Sequence, residues 1–194
     1  MSATKPTWRD VKKVLQQQEK DQLIGLIHDL HKLSAANADF LHARLLGNDA
    51  AQSLAPYKKR IKQAISPAKP WKHEVQLREG RKAISDYKKA SGDVRGILSL
   101  MVYYLQCGND FTLEFGDIDE PFYNSLCSIL DQVKKQLIAE ENHQLAAEFI
   151  PLLEHEFQRI DGQMGWGYPD EFGEQVAMLR EQFGKGLLPL HTLP

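Results

Sequence analysis

The stretch ILSLMVYYLQCGNDFTLEFGDIDEPFYNSL, residues 97–126, is the most apolar part of the chain and holds its densest run of aromatic residues. Ile97, Leu98, Leu100, Met101, Val102, Tyr104 and Leu105 cover most of the circumference of a helix. A helix that is apolar nearly all round is enclosed by neighbouring elements. The pattern therefore predicts a central helix from Val94, capped by Asp93, to about Cys107, with Gly108 as its stop. Asp119-Glu120-Pro121 then reads as a second helix start: an acidic cap, an acid in the first turn, and a proline where the missing N–H costs nothing. That helix should reach about Glu140, with Leu126, Ile129, Leu130, Val133 and Leu137 inside.

Working outward, helical spacing dominates and strict alternation is scarce, so almost no sheet is expected. Thr7 and Asp10 form a capping-box pattern ahead of a helix from Trp8, with Trp8, Val11 and Leu15 on one face. Leu23, Ile27 and Leu30 make the next stripe, and Phe40, Leu41 and Leu45 another, with Gly47 as a stop and Asn48 as a cap for the next helix. Ala50, Leu54, Tyr57, Ile61 and Ile65 step at helical intervals, and Pro56 predicts a kink or a late start there. Pro67 and Pro70 end that helix. A basic helix comes next, from about Glu74 to Ala90, broken at Ser91-Gly92. Asn142 caps a helix bearing Leu145, Phe149, Leu152 and Ile160, which Pro151 should kink or split. A last helix carries Phe172, Val176, Leu179 and Phe183.

These elements suggest antiparallel helix pairs joined by short connections, and a compact all-α bundle and a short curved helical array both fit. One domain over residues 1–194 is expected. Its parts are a helical portion at 1–66, a proline linker at 67–72, a helical body at 73–184 and an apolar tail at 185–194.

The bulk numbers narrow the class. A chain of 194 residues, 42% hydrophobic and 26% charged, builds one sizeable core. Its longest nearly apolar run, Ile97–Leu105, is far too short to span a bilayer, so no membrane partner is expected. MSATKPTWRD lacks the apolar core of a signal peptide, which makes a cytoplasmic address the default. Cys107 and Cys127, the two cysteines, read as buried free thiols.

The net charge of -2 hides a strong asymmetry. From Tyr57 to Arg95, twelve basic residues oppose four acids, a balance of +8; from Asp110 to Phe183, sixteen acids oppose four bases, a balance of -12. Such separation governs partner choice and association rate rather than fold.

At RKAISDYKKAS (81–91) and LMVYYLQCGNDFTLEFGDIDEPFYNSL (100–126) the sequence resembles a family of small, all-helical bacterial proteins of unknown function. The resemblance covers about three-quarters of the chain and thins out after Gly162. It implies an all-helical fold with a leucine-rich N-terminal helix pair and a cytoplasmic setting. It transfers no activity and no catalytic residue.

Three groups of residues are candidates for chemistry. Glu114, Asp117, Asp119 and Glu120 could hold a divalent cation, since carboxylates at short spacing suit Mg²⁺ or Ca²⁺. The spacing is not that of an EF-hand, and turn shaping plus helix capping explains the same residues. Lys58, Lys59, Arg60, Lys62, Arg81, Lys82, Lys88 and Lys89 could contact nucleic-acid phosphates, with Tyr57, Trp71 and Tyr87 interleaved to stack on bases. Charge runs on helices are more often solvated faces, and the acidic half would repel a polyanion. Trp166 and Tyr168, in the glycine-rich loop, form either an exposed aromatic docking site or a plug for the end of the bundle.

His28 and His31 lie one turn apart, and Glu140 with His143 has Glu-x-x-His spacing, but the second copy that a di-iron bundle needs is absent. No nucleophile elbow, phosphate loop or dinucleotide fingerprint occurs, and no cofactor is called for. The sequence thus favours a non-catalytic module that binds a protein partner or itself. A nucleic-acid accessory protein and a metal-dependent enzyme centred on residues 114–120 are the alternatives.

Overall fold

The computed structural model describes residues 5–47 and 50–184, and these form nine α-helices. In chain order they are α1 (Trp8–Leu15), α2 (Lys20–Leu33), α3 (Ala35–Leu45), α4 (Ala50–Ile65), α5 (Leu77–Ser91), α6 (Val94–Phe115), α7 (Glu120–Glu140), α8 (His143–Ile160) and α9 (Tyr168–Phe183). Asn48 and the tail at 185–194 lie outside the described residues.

Helix α6 is the axis of a bundle. It packs against α4, α5, α7 and α8, and α9 closes the far side against α7 and α8. All seven apolar residues that cover its circumference are buried, and so are the five on α7. The burial of so much apolar surface in one cluster holds the bundle together.

Helix α6 does not stop at Gly108. It runs on to Phe115, and Gly116, at φ 87°, ends it, so the residues after the expected stop at Gly108 are helical too. Gly108 serves a different purpose. A Cβ there would lie 2.5 Å from Leu126 Cδ2, so the missing side chain lets α6 and α7 approach closely. Helix α4 continues through Pro56 and α8 through Pro151, so neither helix starts late or splits at its proline. Leu152 faces outward, and Leu153 fills the core position instead.

The caps form largely as the sequence suggests. Asp10 accepts from the Thr7 amide at 2.9 Å. Asp119 accepts from the Phe122 amide at 2.9 Å, and Asn142 caps α8 through the amides of Gln144 and Leu145. Gly92, at φ 68°, ends α5. The basic helix starts at Leu77 rather than Glu74. Residues 66–76 first fold back, and the Gln76 amide returns to the Ala64 carbonyl at 2.8 Å.

The N-terminal helices depart most from the expected core. Neither α1 nor α2 contains a buried residue. Helix α2 packs on α3, and α3 on α4 and α5. Asn37 Nδ2 donates to the Leu30 carbonyl at 2.8 Å, and Arg44 donates to the Lys89 carbonyl at 2.6 Å. Residues 5–46 are thus an arm held to the bundle through α3.

Candidate functional site

Two of the sequence candidates meet in space. The turn between α6 and α7 carries Asp117, and the loop between α8 and α9 carries Trp166. Asp117 Oδ1 accepts a hydrogen bond from the Tyr123 hydroxyl at 2.6 Å and another from the Gly165 amide at 3.1 Å. These bonds hold the carboxyl below the usual carboxylate range. Burial, reinforced by the bond to Asp117, pushes the Tyr123 hydroxyl up to about 12.

The acidic turn is therefore a latch on the glycine-rich loop. Asp117 fastens the loop, Asp119 caps α7, Glu120 opens that helix, and Glu114 lines a groove on another side. Among the described residues, no three His, Cys, Asp or Glu side chains gather closely enough to share a cation.

The latched loop separates its two aromatic residues. Trp166 is 59% exposed and sits at φ 59°, a left-handed conformation that bulky residues rarely adopt. Tyr168 is fully buried, so it belongs to no docking surface. Its hydroxyl donates to Asn109 Oδ1 at 2.9 Å; Asn109 Nδ2 in turn donates to the buried Glu156 at 2.9 Å. Arg159 completes the chain, with bonds to both Glu156 oxygens at 3.0 Å and to Asp110 at 2.6 Å. This network ties α6, α8 and α9 together, and the sequence pattern did not single it out.

The basic helices are partly spent on the fold. Arg60 pairs with Asp86 at 2.8 Å. Arg81 donates to the Ser125 hydroxyl and carbonyl, both at 3.0 Å, and so bridges α5 to α7. Lys58 lies over the Tyr103 ring, 5.2 Å from its centroid. Lys59, Lys62, Lys82, Lys88 and Lys89 are exposed. Tyr57 and Tyr87, which the nucleic-acid alternative would need for stacking on bases, pack edge to face with each other inside the core.

Two open grooves flank the turn after α4. One of about 670 Å³ is lined by Arg60, Lys62, His73, Gln76 and Glu79. The other, of about 590 Å³, is lined by Lys62, Pro67, Asp110, Glu114 and Arg159. Both mix charges of opposite sign.

The most extensive unusual surface is the arm. Trp8, Val11, Val14, Ile24, Leu26, Ile27, Leu30, Leu33, Phe40, Leu45 and Leu46 are exposed there, eleven of the eighteen exposed large hydrophobics among the described residues. Single exposed apolar side chains are ordinary, but here most of them are concentrated on one part of the chain. The periodicity of α1 and α2 revealed the apolar faces but not that the bundle leaves them uncovered. At the inner edge of the arm, His31 Nε2 lies 3.2 Å from His42 Nε2, joining α2 to α3.

No family model, curated protein or solved structure matches the chain, so the resemblance at residues 81–91 and 100–126 stays an expectation. None of the described helices is long and apolar enough to cross a membrane.

Proposed function

We propose that the chain is a helical protein–protein interaction module, an adaptor or regulator, whose contact surface is the N-terminal arm. The observation that carries this reading is the concentration of exposed large hydrophobics between Trp8 and Leu46. Helices of 8 and 14 residues with no buried side chain are marginal on their own, because short helices draw stability from covering an apolar face. Covering each half-exposed Leu or Ile contributes on the order of 1 kcal/mol, and together these gains compete with the cost of association. All three tryptophans, the residue type most enriched at binding hot spots, are at least 59% exposed.

The nucleic-acid reading draws less support, because Arg60 and Arg81 serve the fold and the two tyrosines are buried. The metal-dependent reading draws less still, because Asp117 and Asp119 are occupied by backbone amides.

The test compares the native chain with a variant bearing Ile24→Ser, Leu26→Ser, Leu30→Ser and Leu33→Ser. Zero-length cross-linking, on purified protein and on protein added back to a lysate, reads which residues touch another polypeptide. Cross-links from Lys20 or Lys32 to a second chain, lost in the variant, are expected. Cross-links that are equal in both proteins and lie away from residues 5–46 would overturn the reading.

A further inference from the structure

Resting on that reading, we infer that the occupant of the arm is a second copy of this chain, paired through α2 in antiparallel orientation about a two-fold axis.

Leu23, Leu26, Leu30 and Leu33 form the seam. Their spacing of three, four and three residues is that of a coiled-coil face. It also reads the same in both directions. An antiparallel copy therefore sets Leu23 against the other Leu33, and Leu26 against the other Leu30, so that leucine meets leucine throughout. Leu26, Leu30 and Leu33 are 44%, 45% and 75% exposed, with the exposed Ile27 beside them, and Leu23 is half-buried. Gly25, also on α2, has open space where a side chain would stand. Antiparallel pairing sets the two helix dipoles in opposition, which is the favourable arrangement.

Charge selects the arm for contact between identical surfaces. Residues 5–46 hold seven basic and five acidic side chains, a near balance. The segments at 57–95 and 110–183, at +8 and -12, would each repel their own copy. The area is modest: at roughly 100 Å² apiece, the exposed Leu26, Ile27, Leu30 and Leu33 of α2 offer on the order of 400 Å² per copy, about half of the roughly 800 Å² per partner in a standard interface.

The contact is apolar, so it should persist in salt, whereas head-to-tail pairing of the basic and acidic halves would weaken. Light scattering on the eluting full chain should give twice 22.1 kDa at micromolar concentration, unchanged at about 1 M NaCl. Leu26→Glu with Leu30→Glu should halve that mass while the helical circular dichroism of the bundle remains. Orientation is read by mixing Leu23→Cys chains with Leu33→Cys chains under mild oxidation. The mixed disulfide should form in preference to either homodisulfide, because like positions lie about 15 Å apart along antiparallel helices. Preferred homodisulfides would overturn the antiparallel arrangement. A monomer across the concentration range would overturn self-pairing, and an oligomer that salt dissolves would overturn pairing through the apolar face of α2. Arm-dependent cross-links to a different protein in the lysate would then leave the interaction reading standing.

Discussion

The Gly165 amide donates to Asp117 Oδ1 across a gap of 48 residues in sequence, at 3.1 Å. This one bond links the turn between α6 and α7 to the loop that displays Trp166, and it makes the loop sensitive to acid. The carboxyl is held below its ordinary value of 3.8, so the ionised form favours the folded loop. The stabilisation is therefore complete above that value and is lost as the pH falls below it. In an acid titration followed by NMR, the Gly165 amide resonance should move only below about pH 4. Asp117→Asn should abolish that movement and speed hydrogen exchange in residues 162–167. Movement centred on neutral pH would contradict the assignment.

Arg159 sits between a buried acid and an exposed one. Removing it as Arg159→Ala strands the Glu156 carboxylate, whose side chain is 3% exposed. The expected loss is about 3 kcal/mol, trimmed from the range for fully buried pairs because the arginine is itself partly solvated. Adding Glu156→Gln should recover part of it, since the amide carries no charge to leave unpaired. Urea unfolding of the three proteins checks the order.

Two helix glycines should respond oppositely to alanine. At Gly108 the new methyl would collide with Leu126, and overpacking of this kind costs about 1–3 kcal/mol. At Gly25 nothing lies within 4 Å, so Gly25→Ala should stabilise α2 by about 0.5–1 kcal/mol. Amide exchange within α2 reads the second effect locally, where a global melting curve would dilute it.

The thiols should stay silent until the fold opens. Burial pushes Cys107 up to about 11; burial and the neighbouring Glu171 push Cys127 up to about 12. Both remain protonated at pH 8, and only the thiolate reacts. A disulfide reagent should titrate no cysteine in the native protein and two in denaturant. A fast-reacting thiol under native conditions would show that one of these sites is open.

Apolar density made the core readable in the sequence. The α6, α7 and α9 patterns name residues that are all buried, because so many large apolar side chains on a helix leave little choice of environment. The arm was only half legible. A 3.6-residue period shows that Leu26 and Leu30 share a face, but it cannot say whether the same chain covers that face. Gly108 misled for a related reason: a glycine marks either a stop or a close approach, and only the position of Leu126 decides. Trp166 and Tyr168, two residues apart, divide between solvent and core because α9 begins at Tyr168. The His31–His42 contact spans eleven residues and two helices, beyond any local pattern.

With Trp8, Trp71 and Trp166 all turned outward, the protein's own fluorescence reports its rim rather than its interior. Emission should look solvent-bathed even at full stability, and thermal melting followed at that wavelength should show little change. A partner laid over any one of the three indoles should shift the signal to the blue. Each then marks a separate district: the arm, the return after α4, or the loop latched by Asp117.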